Sequence, residues 1–115
     1  MNYTIRNATP NDIDEIILLC SEHAEYERAY YSSEGKAKKL TQLLFDENPR
    51  AYCLIAESEN QIVGYVTYSF EFSTWDAELY THMDCLFLRE FARGFGIGEA
   101  LVEQIKLASK ENNCS

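Results

Sequence analysis

The run Arg93-Gly94-Phe95-Gly96-Ile97-Gly98 is the part of the chain best suited to hold a charged ligand. It follows a β-patterned stretch and opens into a helical pattern in which Ile97, Leu101, Ile105 and Ala108 share one face. The first amides of a helix have no intrahelical acceptor, and the helix dipole adds partial positive charge, so such a turn can cradle phosphate. Glycines let the backbone approach the oxygens, and Arg93 adds a formal charge at the mouth of the turn. Two other phosphate motifs do not fit. A dinucleotide fingerprint needs Gly-x-Gly-x-x-Gly in a parallel βαβ unit, whereas these glycines stand at 94, 96 and 98 behind a strand meander. A P-loop needs Gly-Lys-Ser/Thr, which does not follow here. The plain alternative is a helix entrance whose glycines only permit tight packing.

The elements that must position this turn are legible from periodicity. Tyr3 to Arg6 is a short strand, and Thr9-Pro10-Asn11-Asp12 is a helix entrance with Thr9 as N-cap, Pro10 first and Asp12 at the positive end. Ile13, Ile16, Ile17, Cys20 and Ala24 then recur at helical spacing, and the helix is expected to fray near residues 30–33. A second helix is predicted from Lys36 to Glu47, stopped by Pro49. Strands follow at Ala51–Ser58, Ile62–Phe72 and Glu78–Leu88, joined by short turns, which implies an antiparallel meander. Alternation puts Ile62, Gly64, Val66, Tyr68, Phe70 and Phe72 on one face of the middle strand.

Composition narrows the classes. With 115 residues, 46% of them hydrophobic, the chain reads as one globular domain over residues 1–115. A net charge of −9 argues against nonspecific nucleic-acid binding, which rewards Lys and Arg, and suits attraction of small cations or plain solubility. No apolar run is long enough for a membrane span, and Met1 to Arg6 lacks the pattern of a secretory signal. Cys20, Cys53, Cys85 and Cys114 have no metal-ligand spacing and point to a reducing, cytoplasmic setting, with no metal expected.

Taken together, Arg93-Gly94-Phe95-Gly96-Ile97-Gly98, the preceding run Asp84-Cys85-Leu86-Phe87-Leu88 and the order β, α, α, β, β, β, α resemble the GNAT N-acetyltransferases over essentially the whole chain. Ala24-Glu25-Tyr26-Glu27, Gly64-Tyr65 with Tyr68 and Phe70, and Trp75 make it look closest to the diamine (spermidine/spermine) N-acetyltransferases. The resemblance implies an α+β fold with a mixed, mainly antiparallel sheet, and acetyl-coenzyme A as cosubstrate. Its pyrophosphate would sit on the amides of Gly94, Phe95, Gly96, Ile97, Gly98 and Glu99, near Arg93. Its pantetheine arm would pair with the backbone of Leu86, Phe87 and Leu88 as an added strand does, and an amide of Phe87 or Leu88 would steady the thioester oxyanion.

The acceptor implied by the resemblance is a primary amine of a small molecule such as a polyamine. Asp84 stands where the polyamine enzymes have an acidic residue proposed to hold the ammonium and pass its proton away. Alternation puts it on the face of Leu86 and Leu88; the other reading is a solvated or hydrogen-bonded strand Asp. Tyr26 and Glu27 match residues lining the amine pocket, where acidic and aromatic groups attract a cation, yet a surface Glu near a helix end needs no such role. His82, on the predicted face of Asp84, reads as a hydrogen-bonded strand histidine before a base or relay. His23 reads as a surface helix residue, and Tyr65, Tyr68, Phe70 and Trp75 as core or rim packing.

The chain departs from the family's pattern after the last helix, where members continue with further strands, a helix, a cofactor-binding Asn and a Tyr that protonates the departing thiolate. A C-terminally incomplete domain is therefore expected, with an exposed strand edge that favours pairing as a homodimer. Two functions follow: an acetyltransferase acting on a small amine, or a catalytically impaired module that binds coenzyme A or serves as an interaction or structural domain.

Overall fold

A computed structural model describes residues 1–114 of the chain. Strand β1 (Thr4–Asn7) leads through a 3-10 turn at Pro10–Asp12 into helix α1 (Ile13–Tyr26), followed by α2 (Lys36–Phe45). Strands β2 (Tyr52–Ser58), β3 (Gln61–Ser73) and β4 (Glu78–Leu88) come next, then a 3-10 turn at Glu90–Ala92 and helix α3 (Ile97–Glu111). The described strands form one antiparallel sheet in the order β1-β2-β3-β4. The expected element order is therefore present, with bounds moved by a few residues. No described helix is long and apolar enough to cross a membrane.

Strand alternation sorts the apolar residues onto two sides of the sheet. On one side Ile13, Ile16 and Leu19 of α1 and Leu44 of α2 pack on Cys53, Ile55, Tyr65 and Phe87. On the other, Ile97, Leu101 and Ile105 of α3 pack on Leu54, Ala56, Val66 and Tyr68. The sheet is thus the middle layer, and β4 carries residues that contact both helical layers.

Two bulges correct the simple alternation read from the sequence. Ala56 pairs with Gly64 but Glu57 pairs with Ile62, so Val63 is an extra residue on β3. One inserted residue reverses the facing of everything before it. Ile62 accordingly joins the α1 side, while Val63 joins Val66 and Tyr68 under α3. On β4, Thr67 pairs with Cys85 and Tyr68 with Met83, leaving Asp84 as the extra residue. Before this bulge Thr81 faces α3 and bonds Ser109 at 2.6 Å; after it Leu86 and Leu88 face α3. Asp84 therefore shares the α1 side with Cys85 and Phe87, not the face of Leu86 and Leu88.

Helix ends differ from expectation for local reasons. The α1 helix stops at Tyr26, well before residues 30–33, because Arg28 turns into the left-handed region at φ 57°. The α2 helix stops at Phe45, since Asp46 is already extended, four residues ahead of Pro49. The entrance to α1 is held by Asp12, whose carboxylate accepts from the Thr9 amide at 2.7 Å and the Thr9 hydroxyl at 3.1 Å. The same carboxylate receives both terminal nitrogens of Arg6, at 2.7 and 2.9 Å, which ties β1 to the helix start.

The Arg6 bonds, outweighing desolvation, hold the Asp12 carboxyl down at about 2. A lowered acid pKa stabilises the fold above the unfolded value of 3.8, and the gain is lost as pH falls through about 2. Asp12→Asn should therefore cost ~1–3 kcal/mol at pH 7 and much less near pH 2, measured by urea denaturation across that range.

Candidate active site

Strand β4 is the last strand of the described sheet, so one of its two edges faces no partner strand. Which backbone groups lie on that edge follows from three contacts. The Arg89 amide donates to Val63 O at 2.8 Å, so the odd-numbered amides just before it also turn toward β3. The Phe87 carbonyl lies against Gly64, where an added Cβ would stand 2.9 Å from it. The Leu88 carbonyl points the other way and accepts from Arg93 Nε at 2.9 Å. The amides and carbonyls of Leu86 and Leu88 thus line the open edge, whereas the backbone of Phe87 is committed to Tyr65. Phe87 offers its ring instead.

Close approach of β3 and β4 at this point depends on Gly64. A Cβ there would lie 2.3 Å from Leu88 Cδ2, so any side chain would displace the strand end that leads to the glycine turn.

The turn has the form a phosphate site requires. Gly94 and Gly96 sit at φ 86° and 80°, a region that disfavours side chains, and Gly96 is the N-cap of α3. Ala100 N donates to Gly96 O at 3.0 Å, which places the amides of Ile97, Gly98 and Glu99 ahead of the helical ladder. No side chain of the described residues caps them. Among the described residues, no atom beyond the chain neighbours comes within 4 Å of a Cβ built at Gly94 or Gly96, so the mouth is open. A Cβ added at Gly98 would meet Leu88 Cδ1 at 3.8 Å, so the turn lies against the end of β4. Glu99 supplies an acid in the first helical turn, where it favours the helix but competes with an anion.

Arg93 does not reach over the glycine turn as its place in the motif suggests. Its guanidinium lies 4.6 Å from the Tyr26 ring centre and 5.6 Å from that of Phe87, a cation held on two aromatic rings. Around it is an open cleft of about 370 Å³ lined by Glu22, Glu25, Tyr26, Phe87, Glu90 and two arginines. One of these is Arg89, which is bound to Glu22 at 2.9 and 3.0 Å, to Glu15 at 3.3 Å and to Ile62 O at 2.9 Å. Those bonds, chiefly to Glu22, raise its pKa and lock α1 to the end of β4.

The remaining candidates divide. Tyr26 meets Phe87 at 6.3 Å between ring centres, so it does stand beside the strand end. Glu27 bonds His23, which the sequence reads as a surface helix residue. His23 instead stacks on Phe87 at 5.0 Å and bonds both Tyr65 and Glu27. The spacing of His23 and Glu27, four apart on a helix, was a visible signal; the partner on β3 was not. His82 and Asp84 are together, at 4.0 Å, as their predicted common face requires, but both side chains are more than half exposed. No cluster fit for a metal ion exists among the described residues.

Comparison with known proteins gives this geometry a family. Residues 13–115 match the model for the acetyltransferase (GNAT) family. Thialysine N-epsilon-acetyltransferase of Bos taurus is 30% identical, over 96% of this chain and 69% of its own length. Spermidine/spermine N(1)-acetyltransferase-like protein 1 of Homo sapiens is 28% identical over 98% of this chain, which spans 17% of that longer protein. Among solved structures, a predicted acetyltransferase from Clostridium acetobutylicum, crystallised with acetyl-CoA, superposes at a TM-score of 0.80. It is 20% identical over 99% of this chain and 77% of its own, a likeness of fold. With a strand edge, a glycine turn and a helix start in the expected sequence, and a family match over most of its length, the chain belongs to the GNAT acetyltransferases, which use acetyl-CoA as cosubstrate.

Proposed function

We propose that this chain moves the acetyl group of acetyl-CoA to a primary amine of a small, cationic substrate of the polyamine or thialysine kind. The observation that carries the reading is the pairing of uncapped amides at Ile97, Gly98 and Glu99 with an open β4 edge directly beside them. The first suits the diphosphate of the cosubstrate, with Gly94, Phe95 and Gly96 forming the wall and Gly98 its floor. The second suits the amide-bearing pantetheine arm, which would bond the backbone of Leu86 and Leu88 as an extra strand does. Acetyl-CoA supplies an activated thioester.

The chain's own groups then have distinct tasks. The amide of Leu88, rather than that of Phe87, is free to donate to the thioester oxygen as charge builds there. Tyr26, Phe87 and the acids Glu22, Glu25 and Glu90 make a rim that draws in a cation. Asp84, turned to the α1 side by its bulge, holds the ammonium and removes its proton, with His82 next to it. The free β4 edge also suits pairing between two copies of the chain, and the free thiols suit a reducing cytoplasm. A binding module without turnover is the second reading, favoured by the solvent exposure of the Asp84 side chain.

Gly96→Val tests the cradle. At φ 80° a β-branched residue costs ~1–3 kcal/mol of strain and crowds the mouth, so acetyl-CoA affinity should fall by more than about tenfold while circular dichroism still reports a folded chain. Titration calorimetry decides it: unchanged affinity would remove the diphosphate from this turn. Asp84→Asn should lower kcat/KM for spermidine by ~10²–10⁴-fold and leave acetyl-CoA affinity intact. Thiol release without any dependence on Asp84 would assign the proton to another group, and binding without turnover in the parent chain would establish the module instead.

A further inference from the structure

Arg93 stands in two places that the substrates need. Its guanidinium lies 4.6 Å from the Tyr26 ring centre and 5.6 Å from that of Phe87, so it fills the aromatic seat where an ammonium would rest. Its Nε donates at 2.9 Å to the Leu88 carbonyl, an acceptor on the open β4 edge that an added strand would use. One side chain therefore closes part of the amine cleft and part of the cosubstrate track together. The uncapped amides of the glycine turn begin just beyond it, and the guanidinium is turned away from them.

The hold on this side chain is light. Arg89 lines the same cleft and is fixed by Glu22, Glu15 and Ile62 O. No carboxylate pairs with the Arg93 guanidinium among the described residues, although Glu22, Glu25 and Glu90 border the cleft. It keeps one hydrogen bond and two ring contacts, at an exposed position. An exposed cation–π contact shifts an equilibrium only about 2- to 5-fold, so two of them do not lock a side chain. The main chain is set, because Arg93 N donates to Glu90 O at 3.2 Å and the residue is extended at φ −79° and ψ 150°. Rotation about the side-chain bonds is the motion left, and the open mouth of the turn begins at the next residue. A diphosphate there offers the guanidinium charge-assisted, forked hydrogen bonds, which outcompete ring contacts.

We propose that Arg93 is a latch between the two substrates: at rest it occupies the seat on Tyr26 and Phe87 and the Leu88 carbonyl, and a diphosphate at the glycine turn draws it off both. The inference rests on the functional reading above. It orders binding, with the cosubstrate first and the cationic amine second, because an amine arriving first must displace a resident cation. Two ring contacts of the stated strength leave the seat free in roughly one chain in 5 to 25, and vacating it raises amine affinity by about that factor. By linkage, the amine raises the affinity of the coenzyme equally.

Titration calorimetry on the full chain tests the latch, with spermidine as the amine and coenzyme A, which carries the diphosphate but no acetyl group, so nothing turns over. In the parent chain, saturating coenzyme A should tighten spermidine binding by roughly 5- to 25-fold. Arg93→Met should tighten spermidine by a similar factor with no coenzyme present. Loss of one positive charge also draws in cations at long range, so Arg93→Met is repeated in Tyr26→Leu. Competition for the seat predicts a much smaller gain in that background, whereas simple repulsion predicts the full gain. Spectra of the ¹⁵N-arginine chain give an independent readout: the Arg93 side-chain signal should carry a ring-current shift that coenzyme A abolishes without any amine. A full gain in Tyr26→Leu, a spermidine affinity indifferent to Arg93→Met, or a ring-current shift that survives coenzyme A binding would overturn the latch. Absence of coenzyme A binding by the parent chain would instead bring down the functional reading itself.

Discussion

Unpaired backbone is costly inside a protein and useful at its surface, and the site is organised around two places where it is left open side by side. At the outer edge of β4, Leu86 and Leu88 present their amides and carbonyls away from the sheet. At the start of α3, three amides precede the helical ladder. Each alone is common. Together, with Gly98 packed on Leu88, they make a continuous track of donors and acceptors that an extended molecule ending in a diphosphate can follow.

Keeping that track open places demands on what surrounds it. Gly64 must lack a side chain, since Leu88 and the Phe87 carbonyl fill the space where one would be. Arg89 must anchor the strand end to α1, which it does through Glu22, Glu15 and Ile62 O. The other end of α1 is fixed by Arg6 and Asp12. These are ion pairs at the borders of the helix, between layers rather than within the apolar core, and they set the register of α1 over β4. Truncating one partner is more damaging than the net worth of the pair, because the remaining charge keeps its desolvation cost.

The side chains of the cleft inherit their positions from that register. His23 and Tyr26 lie in the last turns of α1 and Glu27 caps its end, and each finds Phe87 or a residue touching it. The aromatic floor already holds a cation, the guanidinium of Arg93. The surrounding glutamates and the chain's net charge of −9 act in the same sense, drawing positive charge to this surface.

Residue types and spacing alone determined the antiparallel meander, the order of helices and strands, and the glycine turn that opens α3, because each rests on local chain stereochemistry: glycine at positive φ, apolar residues at a period of 2 or 3.6, Pro at a helix start. They also marked Tyr26 and the end of β4. What they could not fix was every feature created by one inserted residue or by a contact distant in sequence. The bulge at Val63 moved Ile62 across the sheet, and the bulge at Asp84 turned that carboxylate from the α3 side to the α1 side. His23 gained its second polar partner only because β3 brought Tyr65 beneath it, 42 positions away in the chain. Alternation is a rule about neighbours; facing, burial and partnership are settled by the packed layers.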